Sequence, residues 1–293
     1  MPGERGWQRA ATAALFLAPS LLPLLAFVIV PMLASLVLTL FEWNLLRPPE
    51  FVGLANFERL LGDPAFHAAL VHTLQFVVGY LPLVMVGGLA IALGLHRATR
   101  GVAIYRTAYF LPVVTSWVVV ALMWRWLLNP SSGIVNWALG LAGIAGPGWW
   151  ADPGWAMPSI ILASAWKDLG FVMIIFLAGL QAIPQDYYEA ANIDGAGRWA
   201  RFRNITLPLL SPATFFVVVI SLINSFQVFD QVWVMTGGGP ANATSVVVTE
   251  VVRNAFSYSQ LGYASAMSWI LFVAILAMTL VQFRLQRRWV TYG

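Results

Sequence analysis

Six polar side chains lie between residues 221 and 231 of the apolar stretch 212–234, and their chemistry suits a hydroxyl-rich ligand. They are Ser221, Asn224, Ser225, Gln227, Asp230 and Gln231. Four of them recur at helical spacing and so share one stripe of a helix: Ser221, Asn224, Ser225 and Gln231. Neutral hydroxyl and amide groups beside aromatic rings bind polyols well, and the neighbouring rings are Phe226, Phe229 and Trp233. The same groups also join one membrane helix to another, so ligand contact and helix packing are both open.

A second polar group, Trp166-Lys167-Asp168, lies within another apolar stretch. Lys167 is the only lysine of the chain. Adjacent residues of a helix do not face the same way, so we expect Lys167 and Asp168 to have different partners. Lys167 could pair with an anionic group of a ligand or with Asp230, and the sequence leaves both pairings open.

The composition indicates that lipid surrounds most of the chain. Its 293 residues are 60% hydrophobic and 10% charged, with no cysteine and a mean hydropathy of +0.77. This excludes a soluble enzyme, a nucleic-acid binder, a disordered scaffold and any disulfide or thiol chemistry. An intramembrane enzyme is also disfavoured, because His67, His72 and His96 do not have the spacing of metal ligands.

Six apolar runs are long enough to cross a bilayer as helices. They span residues 13–41, 69–95, 107–128, 157–180, 212–234 and 264–283. Pro19, Pro23 and Pro31 are expected to break the first run. A cleaved signal peptide is the alternative for that run, but its apolar region is too long and lacks a clear cleavage site.

The arginines predict the orientation, because short cytoplasmic loops carry the positive charge. With the amino terminus inside, eleven arginines fall on the cytoplasmic side: Arg5, Arg9, Arg97, Arg100, Arg106, Arg198, Arg201, Arg203, Arg284, Arg287 and Arg288. Only three fall outside, namely Arg47, Arg59 and Arg253. Both termini are therefore expected in the cytoplasm.

The longest inside loop, residues 181–211, carries signals for a helical hairpin. Pro184 is expected to stop the preceding helix. Asp186 is a suitable N-cap, and Glu189 stands three residues later, as in a capping box. These residues predict a short helix over residues 187–193.

The second half of this loop turns back on the first. Asp194-Gly195-Ala196-Gly197 predicts a turn in which Gly195 adopts a positive φ. A second short helix is expected over residues 198–205, ending before Pro208. A simple connection needs only 2 to 8 residues, so the pattern favours a hairpin that docks on a partner, with Ala190 and Ala191 as its small-residue patch.

These residues resemble the coupling motif of the permease subunits of bacterial ABC importers, the EAA loop. The resemblance rests on Glu189-Ala190-Ala191, Asp194-Gly195-Ala196 and Ile205-Thr206-Leu207-Pro208. Other segments are similar to the maltose-permease-like branch for carbohydrate uptake. They are residues 51–57 (FVGLANF), 105–112 (YRTAYFLP), 124–126 (WRW) and 236–240 (TGGGP).

The resemblance implies an all-α membrane protein of six helices with the type-1, MetI-like importer fold. It implies one permease domain over residues 1–293, with a core of about residues 69–284, the hairpin at 181–211 and an additional first span at 13–41. It also implies a second permease subunit in a heterodimer, two ATP-binding subunits and an extracytoplasmic solute-binding protein. ATP and Mg²⁺ would be used by the partner ATPase, because this chain has no phosphate-binding G-x-x-x-x-G-K-[ST] loop and is expected to bind no cofactor, metal or nucleic acid.

The resemblance also assigns roles to residues. The expected ATPase contacts are Tyr188, Glu189, Ala190, Ala191, Asp194, Gly195, Ala196 and Arg198. The expected substrate pathway combines two groups of residues. One is Ser164, Lys167, Asp168 and Phe171, and the other is the six polar residues between 221 and 231. The implied function is import of a sugar across the cytoplasmic membrane, with glycerol phosphate or another small polar solute as the alternative. A secondary transporter is disfavoured, because repeated halves with broken helices are typical of that class.

Overall fold

The chain is mostly helical, and the structure is a computed structural model that describes residues 3–97 and 101–291. Its α-helices are α1 Gly3–Leu24, α2 Val30–Leu38, α3 Ala55–Leu61, α4 Pro64–Arg97, α5 Val102–Val114, α6 Trp117–Leu127, α7 Ile134–Leu141, α8 Pro153–Gln181, α9 Gln185–Ile193, α10 Arg198–Arg201, α11 Leu207–Leu209, α12 Ser211–Phe226, α13 Asp230–Met235, α14 Val247–Val252 and α15 Leu261–Trp289. Two short strands, β1 Phe41–Glu42 and β2 Glu50–Phe51, pair antiparallel. Arg100, one of the predicted cytoplasmic arginines, lies outside the described residues.

Several helices are long and apolar enough to cross a membrane. Among the described residues four qualify alone: Gly6–Leu38, Pro64–His96, Pro153–Gln181 and Leu261–Trp289. Two bent pairs raise the number to six if each counts as one span: α5 with α6, and Arg198–Leu209 with α12. The fold class is therefore confirmed as a helical membrane bundle.

The chain forms two compact units. The first comprises Met1–Asp63 with Val251–Ile270. Its amino-terminal helix continues from Gly6 to Leu38, so the prediction that prolines break this run was wrong. Pro19 and Pro23 lie inside α1, and a π-helical turn at Leu25–Ile29 precedes Pro31. There the amide of Val30 donates to the carbonyl of Leu25, and this wider turn accommodates Pro31, which cannot donate.

The second unit, Pro64–Glu250 with Leu271–Gly293, is organised around α8. This helix packs against α4, α5, α6, α12 and α13, and nearly half of its residues are buried. Glycines allow the closest approaches. A Cβ on Gly170 would lie 1.9 Å from the carbonyl oxygen of Tyr109 in α5, and one on Gly88 would lie 2.5 Å from a Val172 methyl. Small residues at such contacts let membrane helices pack backbone to backbone.

Two predicted spans differ from the structure. The third, residues 107–128, is not one straight helix, because α5 and α6 meet at an angle of 101°. Thr115 and Ser116 between them are extended, and Pro112 in the last turn of α5 has no amide hydrogen to continue the ladder. The fifth, residues 212–234, is divided into α12 and α13 by a non-helical break at residues 227–229.

Candidate functional site

A polar cavity of about 430 Å³ lies within the second unit. Its wall comes from α4, α6, α8, the end of α12, the break at residues 227–229 and the start of α13. The lining residues are Phe76, Tyr80, Trp117, Asp168, Asn224, Ser225, Gln227, Val228, Phe229, Asp230 and Gln231. Five of the six polar residues between 221 and 231 therefore meet here, and the sixth, Ser221, is buried and does not line the cavity.

The break between α12 and α13 brings these side chains to the cavity. The prediction of one continuous stripe was wrong, because α12 ends at Phe226 and Phe229 adopts non-helical angles of φ −147° and ψ −64°. Helical spacing therefore does not relate Gln231 to Asn224. Asn224, Gln227 and Asp230 are exposed on the wall, where their amide and carboxyl groups are free to meet a ligand.

Asp168 reaches the cavity from the middle of α8. Its carboxyl oxygen Oδ2 accepts a hydrogen bond of 2.8 Å from the hydroxyl of Tyr80 on α4. The Tyr80 ring stacks on Phe76, with centroids 5.3 Å apart and planes inclined by 11°. The hydrogen bond and the stack together hold both polar groups at the wall.

Lys167, the neighbour of Asp168, is directed elsewhere. Its Nζ donates to the backbone carbonyl of Val113 on α5 at 2.8 Å and lies 4.8 Å from the ring centroid of Trp117. The side chain is only 5% exposed and is not part of the cavity lining. The expectation of different partners for Lys167 and Asp168 is confirmed, and the suggested pair with Asp230 is not formed within the described residues.

Two other residues assigned to the pathway pack between helices. The amide of Gln231 on α13 donates to the hydroxyl of Ser164 on α8 at 3.3 Å, and both side chains are buried. Phe171 is half-buried against the core. Ser164 therefore holds Gln231 at the wall, Phe171 packs against the core, and Asp168 and Gln231 line the cavity.

The sequence patterns predicted only a small part of the aromatic lining of the cavity. Phe229 lines the wall and stacks on Trp233 at 5.5 Å, as the sequence suggested. Tyr80 and Trp117 were not anticipated. Tyr80 is the one tyrosine in the apolar run 69–95, which makes it a recognisable signal, whereas Trp117 reaches the wall because of the bend between α5 and α6.

The hairpin at residues 181–211 is the second candidate site. Its first arm is α9, and its second arm is continuous from Arg198 to Leu209 through a π-helical segment, Phe202–Thr206. Gly195 has φ +73°, as predicted, and the amide of Ala196 closes the turn on the carbonyl of Ala191 at 2.9 Å. Tyr188 and Thr206 share a hydrogen bond of 3.0 Å between the two arms.

Two details of the hairpin differ from the predictions. Asp186 is not the N-cap, because α9 begins at Gln185 after the extended Pro184 and no side chain caps it. The carboxyl of Asp186 instead lies in the first helical turn, where its negative charge interacts favourably with the positive end of the helix dipole. The second arm does not end at residue 205, because the helix continues through the π-helical segment to Leu209 and includes Pro208.

The hairpin carries a surface that suits a protein partner. Glu189 and Ala190 are exposed and Ala191 is half-buried, so the small patch is accessible. Ile193 and Trp199, which the sequence analysis did not single out, are 87% and 70% exposed. Large apolar side chains clustered at an exposed turn are typical of a contact surface.

These features define a polytopic membrane transport protein with a polar cavity and an exposed helical hairpin. A family model described as binding-protein-dependent transport system inner membrane component matches residues 84–290. The chain belongs to this family, and it is an inner-membrane permease subunit of an ABC transporter.

Named relatives and a solved structure match nearly the whole chain. It is 35% identical over 285 residues to the trehalose/maltose transport system permease protein MalF of Thermococcus litoralis, covering 96% of this chain and 95% of the relative. It is 38% identical over 249 residues to the sn-glycerol-3-phosphate transport system permease protein UgpA of Agrobacterium fabrum, covering 83% of each. A chain of the bacterial alginate ABC transporter, crystallised in complex with an alginate pentasaccharide-bound periplasmic protein, matches with a TM-score of 0.87 and 25% identity over 100% of both chains. The importer permease fold is thus confirmed.

Proposed function

We propose that this chain is the permease subunit of an ATP-driven importer that carries a mono- or oligosaccharide across the cytoplasmic membrane. The observation that carries this proposal is the cavity, where amide and carboxyl groups of Asn224, Gln227 and Asp168 converge beside aromatic rings. Sugar hydroxyls need such donors and acceptors, and the apolar faces of sugar rings pack on aromatics. The relative named for trehalose and maltose transport supports the same substrate class.

The proposed partners follow from the hairpin. Residues 188–191, 194–196 and 198 would contact one of two separate ATP-binding subunits, which use ATP and Mg²⁺. A second permease subunit would complete a heterodimer, and an extracytoplasmic solute-binding protein would deliver the sugar. The solved relative in complex with a periplasmic protein supports that last partner. Both termini would lie in the cytoplasm, as the arginine distribution indicates.

The connection between hairpin and cavity suggests how ATP hydrolysis moves the sugar. The second arm of the hairpin runs directly into α12, with a bend of 63° between them. The far end of α12 carries Asn224 and Ser225 to the cavity wall. A displacement of the hairpin by the ATPase subunits would therefore shift the wall itself, as expected for rocking between two access states.

The proposal is tested by uptake into proteoliposomes that contain the complete complex. Radiolabelled trehalose, maltose, maltotriose and sn-glycerol 3-phosphate are offered with the binding protein, with ATP or without it inside. We expect ATP-dependent uptake of at least one sugar, and none with a non-hydrolysable ATP analogue. Uptake of glycerol phosphate alone, or of no carbohydrate from a wider panel, would contradict the proposal.

A further inference from the structure

The cavity contains acidic and neutral groups but no basic one. Among the described residues that line it, the ionisable carboxyl groups are those of Asp168 and Asp230, and no lysine, arginine or histidine is present. The remaining polar groups are the amides and hydroxyls of Asn224, Ser225, Gln227 and Gln231, with Tyr80. An anion moved from water into such a site finds no opposite charge to replace its hydration.

The nearest lysine in sequence does not line the cavity. Lys167 is one residue from Asp168, but its Nζ donates to the Val113 carbonyl at 2.8 Å and faces the Trp117 ring at 4.8 Å. Burial keeps the side chain in that position, with only 5% exposed. The residue that the sequence offered for an anionic group of the substrate therefore serves the contact between α8 and α5.

The relatives leave the charge of the substrate open. Their names include a trehalose/maltose system and an sn-glycerol-3-phosphate system, and one solved structural relative is described as importing the acidic polysaccharide alginate. Family membership alone thus permits neutral and anionic substrates. The lining of this particular cavity distinguishes them.

We infer that the cavity admits uncharged carbohydrates and rejects carboxylated or phosphorylated ones, and that Asp168 and Asp230 set this selection. The inference rests on the proposed function and narrows it to a substrate class. The carboxyl of Asp168 accepts the Tyr80 hydroxyl and faces the cavity, where it can also accept a sugar hydroxyl. Asp230 lies exposed at the start of α13, where it meets any ligand that enters.

Binding to the purified complex in lipid nanodiscs tests the inference. The solute-binding protein is omitted, because its own selectivity would mask that of the permease. Matched pairs that differ in one group serve as probes: glucose with glucuronate, galactose with galacturonate, and maltotriose with its singly oxidised uronate. We expect each neutral sugar to bind at least about tenfold more tightly than its anion, since like charges repel across a short distance.

Variants assign the selection to the carboxyl groups. Asp230→Asn should reduce the preference for a neutral sugar over its anion to about threefold or less. Asp168→Asn, which keeps an acceptor for the Tyr80 hydroxyl, provides a second test if the first variant fails to assemble. Glu50→Gln removes the same charge from an exposed strand residue that does not line the cavity. It should leave the preference unchanged.

The outcomes separate this inference from the proposed function. Equal or tighter binding of the uronates by the wild-type complex overturns the inference, as does a preference that survives both asparagine variants. In each case neutral or acidic sugars still bind, so the sugar permease assignment stands. Failure to bind or import any carbohydrate overturns the proposed function as well.

Discussion

Replacing Gly170 with alanine should push α5 away from α8 and disturb the cavity wall. The new methyl carbon would lie 1.9 Å from the carbonyl oxygen of Tyr109, whereas ordinary contact begins at 3.4 Å, so α5 must retreat by about 1.5 Å. The obstacle is backbone and not a flexible side chain, so no rotamer change relieves it. The retreat would lengthen the bond between Lys167 Nζ and Val113 O from 2.8 Å to about 4 Å, beyond hydrogen-bond range.

The expected cost follows from three contributions. Overpacking of a well-packed site costs about 1–3 kcal/mol. Loss of a hydrogen bond between membrane helices costs about 0.6 kcal/mol. Alanine returns up to about 1 kcal/mol as the better helix former. The net destabilisation of Gly170→Ala should therefore be roughly 1–3 kcal/mol.

The assay is thermal unfolding of the purified protein in detergent, followed by size-exclusion chromatography of the fraction that stays monodisperse. Gly94→Ala is the matched control, because it makes the same change inside α4 where nothing lies within 4 Å of the new Cβ. We expect Gly170→Ala to lower the transition temperature and Gly94→Ala to leave it unchanged or raise it. Equal stability of the two variants would refute the backbone contact between α5 and α8.

Three further predictions address the hairpin, the cavity and the orientation. Gly195→Val forces a β-branched residue to φ +73°, at a cost of about 1–3 kcal/mol, and should reduce copurification of the ATP-binding subunit. Gly197→Val is the control and should not reduce it, because this residue has φ −67° and open space around it. Equal copurification of the two variants would contradict the assignment of the hairpin as the ATPase contact. Tyr80→Phe removes the hydroxyl that donates to the Asp168 carboxyl and should raise the half-saturation concentration for sugar uptake about threefold. Unchanged uptake kinetics would show that the bond between Tyr80 and Asp168 is not part of the pathway. Because the chain has no cysteine, single cysteines introduced at Glu58 and Arg203 can be labelled with a membrane-impermeant maleimide. We expect the cysteine at position 58 to be labelled in intact cells and the cysteine at position 203 to be labelled only after lysis. The reverse pattern would contradict the proposed topology.

The hairpin was largely predictable from the sequence because its signals are local. Pro184 and Gly195 act on the backbone of their own segment, so the end of α8, the turn and the end of α9 lie where the sequence placed them. The caps were less predictable. An N-cap depends on the φ and ψ of one residue, and Pro184 was already extended, so the helix began before Asp186.

The cavity could be predicted only in part. The polar residue types near residues 221–231 indicated a binding surface, but no glycine or proline marks the break at residues 227–229. Periodicity therefore predicted a straight helix where packing favours two. Trp117 reaches the wall only because α5 and α6 bend by 101°, and Tyr80 reaches Asp168 through a contact 88 residues apart. Such contacts depend on tertiary packing, which the pattern of a single chain does not specify.

A structure of the complete transporter trapped with a neutral oligosaccharide that it imports would show whether this cavity binds the sugar. We expect sugar density within the cavity, in hydrogen-bond contact with Asp168 or Gln227 and stacked on Trp117 or Phe229. Sugar bound only by the second permease subunit, with this cavity empty, would contradict the claim that these residues form the import pathway.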